Sequence, residues 1–162
     1  MVSLAVCTVA WLTTTMPKVG DIAPDFRVKD TDGNEISLSA LVQQGPVLLA
    51  FFPKAFTPGC TKQLTGYTAD YGLLKEKSAH IIAVSSDDID TQRRFKESLG
   101  APFSFVSDPS SRIIKLYDIT DDAKISGRAA FVIDKERRVM RVDLGDQAVE
   151  TLKAVTACKI SG

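Results

Sequence analysis

Continuous apolar runs alternate with segments of helical spacing through the middle of the chain. Residues 47–52 and 80–85 are apolar almost throughout, which is typical of strands covered on both faces of a sheet. A helical pattern follows each run. Apolar residues recur every three or four positions over 64–74, and Ser86 is the candidate cap of a helix over 86–100. The order strand, helix, strand, helix predicts parallel strands joined by a crossover helix.

Shorter patterns flank this unit on both sides. The turn pair Asp32-Gly33 lies between strand candidates at 26–28 and 35–38, which predicts a hairpin. The other predicted elements are a short helix over 39–42 capped by Ser39, a strand at 103–106, a short helix over 111–116, a strand pair at 129–134 and 139–144, and a final helix over 147–158. A parallel unit followed by an antiparallel pair favours an α/β fold, with a mixed central sheet flanked by helices in three layers, as in thioredoxin-like proteins.

The length of 162 residues favours one domain with a substantial core. The first fifteen residues are apolar and threonine-rich, and they lack the basic region and cleavage site of a secretory signal. They are also too short to span a bilayer. We therefore expect residues 1–15 to be an extension or the result of a misassigned start before Met16, and residues 16–162 to form the domain.

Charge and cysteine usage narrow the possible partners. Lys and Arg number 20, as do Asp and Glu, so no net field attracts nucleic acid or an anionic membrane. Cys7, Cys60 and Cys158 are widely separated and form neither a CxxC pair nor a disulfide framework, which favours a reducing compartment such as the cytoplasm. The single histidine, His80, begins an apolar run and is expected to be a structural residue at a strand edge.

Cys60 is the residue for which the sequence most strongly predicts a chemical role. It lies just inside a predicted helix, where free N–H groups and the positive end of the helix dipole favour a thiolate. Leu64 and Tyr67 share its helix face, so the sulfur is expected to point toward the edge of the core. Thr57, one turn earlier, has a hydroxyl that can donate or accept, and Pro53 stiffens and shields the loop. These residues predict a nucleophile in a narrow pocket.

Pro53, Thr57 and Cys60 fill the pattern PxxxTxxC within the segment FFPKAFTPGCTKQ. This segment resembles the active site of the peroxiredoxins, in particular the branch called bacterioferritin comigratory protein or peroxiredoxin Q. The resemblance covers about residues 19–155, through APDF at 23–26, AVSSDD at 83–88, FVSDPSS at 105–111 and GRAAFVIDKERRV at 127–139.

The resemblance implies a thiol peroxidase that needs no metal or other cofactor. Cys60 would attack a hydroperoxide and become a sulfenic acid. Arg128 matches an arginine that reaches the cysteine in that family, and Gln63 matches a Glu/Gln position that helps orient this arginine. Backbone N–H groups near Gly59 and Cys60, with Thr57 and Arg128, would stabilise the charge that moves onto oxygen.

The resolving cysteine is where the chain departs from the family. Many peroxiredoxin Q proteins have one five residues after the reactive cysteine, and Thr65 stands there. A second known position, within what is here residues 93–100, also has no cysteine. We therefore favour a one-cysteine mechanism with an external thiol, such as thioredoxin, glutaredoxin or a small thiol. Cys158 and, less favoured, Cys7 remain alternatives as resolvers.

Two other functions compete with a peroxidase. A thiol-disulfide oxidoreductase normally uses CxxC, and the absence of a second cysteine beside Cys60 argues against it. A redox sensor or binding module that responds to oxidation of Cys60 is left open. The sequence also leaves open whether the protein is a monomer or a homodimer, and whether Ala55 and Phe56 form an interface or a substrate edge.

Overall fold

The computed structural model describes residues 15–119 and 127–152. Its strands are β1 (Arg27–Lys29), β2 (Glu35–Ser37), β3 (Val47–Phe51), β4 (His80–Ser85), β5 (Ser104–Ser107), β6 (Ala129–Ile133) and β7 (Val139–Leu144). Its helices are α1 (Leu38–Gln44), α2 (Pro58–Lys75), α3 (Ile89–Leu99) and α4 (Arg112–Leu116), and a 3-10 turn spans Gly145–Val149. The predicted order of strands and helices is confirmed through β7, with most ends shifted by one to three residues.

The main sheet is mixed, as predicted. Its strand order is β5-β4-β3-β6-β7. The pairs β3–β4 and β4–β5 are parallel, whereas β3–β6 and β6–β7 are antiparallel. β1 and β2 form a separate antiparallel hairpin whose turn contains Gly33, with φ +85°. β3 is therefore the central strand, and all five of its residues are buried.

Helices cover both faces of the sheet. Alternate residues of β3 point to opposite faces, so one strand contributes to two cores. One core contains Leu48, Ala50, Leu64, Tyr67, Phe95 and Phe105, from β3, α2, α3 and β5. The other contains Leu49, Phe51, Val42, Ile113, Tyr117 and Phe131, from β3, α1, α4 and their neighbours. Each fully buried Leu or Phe side chain contributes about 1.5–3 kcal/mol, so the three layers hold β3 firmly in the middle.

Two predicted helix caps are wrong. Ser39 lies inside α1, where its backbone N–H donates to Oδ1 of Asp25 at 3.0 Å. At α3 the cap is Asp88, and not Ser86, because the Asp88 carboxylate accepts the Thr91 N–H at 2.8 Å. This bond lowers the pKa of Asp88. In both places a carboxylate takes the free N–H groups, which carry partial positive charge at a helix start.

The ends of the chain are only partly described. In the segment predicted as a final helix, the 3-10 turn comes first and residues 151–152 are helical; Ala148 and Leu152 are buried, as their spacing predicted. Cys7 and Cys158 lie outside the described residues, and the role of residues 1–15 stays a prediction.

His80 is the first residue of β4, and partial burial lowers its pKa. Within the described ranges no helix is long and apolar enough to cross a membrane.

Gly45 provides a test of the close packing between the segment before β3 and the segment before β4. It precedes β3, and a Cβ there would lie 2.8 Å from the backbone carbon of Ser78 and closer still to its carbonyl oxygen. We expect Gly45→Ala to lower the free energy of unfolding by about 1–3 kcal/mol, because backbone must move to make room.

The control is Gly72→Ala in α2, where an added Cβ meets nothing within 4 Å. Alanine is the better helix former, so this variant is expected to be more stable by up to about 1 kcal/mol. Urea unfolding measures both variants. Equal stability of Gly45→Ala and the unmodified protein would contradict the packing described here.

Candidate active site

Cys60 lies in the first turn of α2, at the end of the loop that leaves β3, and its side chain is fully buried. Pro58 occupies the start of the helix, where its missing N–H costs nothing. Thr57 precedes it as the cap residue but makes no side-chain capping bond; its hydroxyl instead donates to the carbonyl oxygen of Lys54 at 2.7 Å. The N–H groups of the first turn are therefore not taken up by the cap side chain.

Arg128 contacts the sulfur of Cys60. Nη2 of Arg128 lies 3.5 Å from Sγ, the distance of a hydrogen bond to sulfur. Arg128 immediately precedes β6, and β6 runs antiparallel to β3 with Ala129 opposite Phe51. The start of β6 thus lies beside the end of β3, where the loop to Cys60 begins. The strand pairing brings together two residues that are far apart in sequence.

The segment after β7 also contacts Arg128. The N–H of Gly145 donates to the carbonyl oxygen of Arg128 at 2.9 Å. Oδ1 of Asp146 lies 3.7 Å from Nη1 of Arg128, although the Asp146 side chain is exposed. An ion pair with one exposed partner contributes little stability, but it restricts the directions that the guanidinium can take. The sequence analysis missed Asp146, and no local pattern marks it.

Gly59 makes the approach of Arg128 possible. A Cβ at this position would lie 2.6 Å from Nη2 of Arg128, closer than real Cβ contacts allow. A side chain at this position would clash with Arg128, so glycine has a steric role here. The sequence analysis had assigned it only the role of providing a backbone N–H.

A carboxylate that follows the neighbouring strand holds the loop between β3 and α2. The N–H of Ala55 donates to Oδ2 of Asp87 at 2.8 Å, and the hydroxyl of Ser85 donates to the same oxygen at 2.7 Å. Asp87 follows β4, which runs parallel to β3, so the two carboxyl ends lie side by side. The sequence analysis missed Asp87; the available signal was an acidic residue two positions after the strand that follows the helix of Cys60.

Phe56 adopts a left-handed backbone conformation with φ +63°. Such a conformation costs a bulky residue about 1–3 kcal/mol, and the surrounding contacts must hold it. Its ring packs on Phe95 with centroids 5.0 Å apart. Ala55 is buried, so of the two apolar loop residues only Phe56 presents a large surface to solvent.

Pro53 and Gln63 were also predicted to belong to the site. Pro53 lines a cavity of about 200 Å³ that also touches Gly127, the residue before Arg128. Gln63 is fully buried, and its Nε2 donates to the hydroxyl of Tyr67 at 3.3 Å. Among the described residues Gln63 makes no hydrogen bond to Arg128, the partner that the resemblance implied.

Cys60 is the only cysteine within the described ranges, and it is free. In the same part of the chain, no group of three or more His, Cys, Asp or Glu side chains could hold a metal ion. The site therefore consists of one buried sulfur, one guanidinium and the first turn of a helix. This arrangement can stabilise negative charge on sulfur and on an oxygen placed against it.

The chain belongs to the AhpC/TSA family, whose family model matches residues 19–142. It is 35% identical over 118 residues to the chloroplastic peroxiredoxin Q of Oryza sativa subsp. japonica, a match that covers 72% of this chain and 54% of the rice protein. The chain thus spans about half the length of the plant relatives it matches. The predicted resemblance to peroxiredoxin Q is confirmed.

Solved structures agree with this assignment. The crystal structure of peroxidoxin BcpB from Mycobacterium tuberculosis has a TM-score of 0.73 and 30% identity, covering 86% of this chain and 98% of that one. A cysteine-to-serine mutant of peroxiredoxin Q from Xanthomonas campestris has a TM-score of 0.73 at 21% identity, covering 90% and 96%, and supports the fold alone. The predicted thioredoxin-like fold is confirmed.

Gly59→Ala tests the contact between Arg128 and Cys60. The atom in the way is the tip of a flexible side chain, so Arg128 is expected to move while the fold is retained. A hydrogen bond to a charged group contributes about 1.5–3 kcal/mol, so its loss is expected to slow alkylation of Cys60 by iodoacetamide about tenfold or more.

Gly66→Ala is the matched control, because it lies in the same helix and an added Cβ meets nothing within 4 Å. It is expected to alkylate at the unmodified rate. If Gly59→Ala also reacted at that rate while keeping the same melting temperature, the guanidinium would have no influence on the sulfur.

Proposed function

We propose that this protein is a thiol-dependent peroxidase that reduces hydrogen peroxide and organic hydroperoxides through Cys60. The observation that carries the proposal is the 3.5 Å contact between Nη2 of Arg128 and Sγ of Cys60 in the buried first turn of α2. Membership of the AhpC/TSA family supports it. A fixed cation against a buried sulfur favours the thiolate, which is the form that attacks peroxide.

The groups around the sulfur also suit a bound hydroperoxide. The Thr57 proton is donated to Lys54, so the Thr57 oxygen is free to accept the O–H of the peroxide. The Arg128 guanidinium and the N–H groups of Gly59 and Cys60 are donors, and they would face the two peroxide oxygens. We assign Thr57 the role of acceptor and Arg128 that of the principal donor.

The chemical step is a displacement at oxygen. The Cys60 thiolate attacks the terminal oxygen, an S–O bond forms, and the O–O bond breaks. Its electron pair leaves with the other oxygen, which takes a proton and departs as water or an alcohol. Sulfur loses two electrons and becomes a sulfenic acid. The donors stabilise the charge that appears on the leaving oxygen more than they stabilise the bound peroxide.

Burial of the sulfur supports this scheme further. Cys60 has no exposed surface, so electrostatic interactions at the sulfur are stronger than in water. Pro53 has a rigid ring and a fixed φ, and we assign it the role of shielding the sulfur at the loop.

We propose that an external thiol completes the cycle. The thiol attacks the sulfenic acid, water leaves, and a mixed disulfide forms; a second thiol then releases Cys60 as a thiolate. Thr65 stands where many peroxiredoxin Q proteins have a resolving cysteine, which supports a one-cysteine mechanism. Thioredoxin, glutaredoxin or a small thiol would be the reductant, and the cytoplasm, a reducing compartment, the proposed location.

Steady-state peroxide consumption with thioredoxin tests the activity. Cys60→Ser is expected to abolish turnover. Arg128→Ala is expected to slow the reaction with peroxide about a hundredfold or more, because a lost transition-state donor costs about 2.7–4 kcal/mol.

Arg138→Ala is the control, since Arg138 contacts the carbonyl oxygen of Gly20 and is exposed. It is expected to react at the unmodified rate. Insulin reduction without peroxide turnover would instead favour a disulfide oxidoreductase. Oxidation of Cys60 with no turnover in the presence of thiols would favour a sensor.

Thiol trapping followed by mass spectrometry tests the one-cysteine mechanism. After equimolar peroxide, Cys60 is expected as a sulfenic acid that reacts with dimedone. A disulfide between Cys60 and Cys158, or between Cys60 and Cys7, would assign the resolving role to that cysteine.

A further inference from the structure

The buried polar side chains behind Cys60 form a connected set. Gln63 follows Cys60 by three positions and Tyr67 follows Gln63 by four, so all three lie along one face of α2. Gln63 and Tyr67 are fully buried. The Tyr67 hydroxyl meets the carbonyl oxygen of Ala148 in the 3-10 turn after β7. Tyr67 therefore links the helix of the reactive cysteine to the segment that also carries Asp146.

The hydrogen bonds of Tyr67 determine the orientation of the Gln63 amide. A tyrosine hydroxyl has one proton, and the carbonyl oxygen of Ala148 can only accept, so that proton is donated to Ala148. The Gln63 group 3.3 Å from the Tyr67 oxygen must then be the NH₂ group, which leaves the amide oxygen Oε1 turned the other way. Burial raises the pKa of Tyr67 to about 12, so the hydroxyl keeps its proton at neutral pH.

Two buried polar atoms near this link have no hydrogen-bond partner among the described residues. They are Oε1 of Gln63, an acceptor, and Nε of Arg128, a donor. Gln63 lies one helical turn after Gly59, the residue against which the guanidinium of Arg128 packs, so the amide and the guanidinium share one neighbourhood. A buried polar atom without a partner is energetically costly, which favours pairing of a complementary donor and acceptor in one neighbourhood.

We propose that Tyr67 is a positioning residue for the peroxidase reaction: it orients the Gln63 amide so that its oxygen, and not its NH₂ group, faces Arg128. The inference rests on the proposed function, in which Arg128 acts on Cys60. A guanidinium has only donors. If the amide rotated, its N–H groups would face other N–H groups, and Arg128 would be driven away from the sulfur.

Tyr67→Phe tests the proposal, because it removes the hydroxyl and keeps the ring that packs in the core. The rate of peroxide reduction and the rate of Cys60 alkylation are both expected to fall about tenfold, the effect of losing a hydrogen bond to a charged group. Tyr71→Phe is the matched control, one turn later in α2 with its ring against Phe103. It is expected to leave both rates unchanged.

A second substitution separates positioning from general structure. A carboxylate has two acceptor oxygens and no NH₂ group, so it presents an acceptor to Arg128 whichever way it rotates. The double variant Tyr67→Phe/Gln63→Glu is therefore expected to react as fast as Gln63→Glu alone. A loss that came only from weakened packing around Tyr67 would persist in the Gln63→Glu background.

The outcomes distinguish this inference from the proposed function. Unchanged rates in Tyr67→Phe, or a loss that Gln63→Glu does not rescue, would overturn the role of Tyr67. If the unmodified protein alkylated readily at Cys60 but ignored peroxide, the proposed function would fail. The alkylation series would still decide whether Tyr67 acts on the sulfur through Gln63 and Arg128.

Discussion

The pairing of β3 with β4 on one side and β6 on the other determines where each group of the site lies. Because β4 is parallel to β3, Asp87 follows its strand at the same edge as the loop that leads to Cys60. Because β6 is antiparallel, its first residues meet the end of β3, and Arg128 arrives beside Cys60. A slip of one residue in β6 would turn the side chain of Arg128 to the opposite face of the sheet. The buried apolar residues on both faces of β3 make such a slip costly.

Burial around Cys60 strengthens its few polar contacts. It also makes a polar atom without a hydrogen-bond partner energetically costly. Because the sulfur is buried, its contact with the Arg128 guanidinium is only weakly screened by solvent. The same environment leaves Oε1 of Gln63 and Nε of Arg128 without partners in the described part of the chain. In a buried site the orientation of one amide group decides which hydrogen bonds can form. The orientation of the exposed Asp146 carboxylate has little effect, because water can replace its contacts.

Three separate segments converge on the site, and each is attached to a rigid element. The loop after β3 is held by Asp87, α2 is packed against the core through Leu64 and Tyr67, and the 3-10 turn is bound to Tyr67 through Ala148. The left-handed backbone at Phe56 persists within this set of contacts. These contacts fix the donors around Cys60 in place, which is the preorganisation that the proposed reaction with peroxide requires.

Local features of the chain were enough to predict the strands, the helix that begins near Cys60 and the pattern of Pro53 and Thr57 around it. These follow from apolar runs, helical spacing and turn residues, which act over a few neighbouring positions. The helix caps were misplaced, because carboxylates of Asp25 and Asp88 compete with nearby serines for the same N–H groups. Arg128 could be named only through the resemblance to a family.

The tertiary structure decided the rest. Asp87, Asp146 and the bond from Tyr67 to Ala148 join positions far apart in sequence, so their partners can be assigned only from the assembled structure. The sequence by itself determined that Cys60 lies at the start of a helix that follows a buried strand. Which groups surround that cysteine depends on how strands pair and in which direction they run, and that is settled only when the whole sheet assembles around β3.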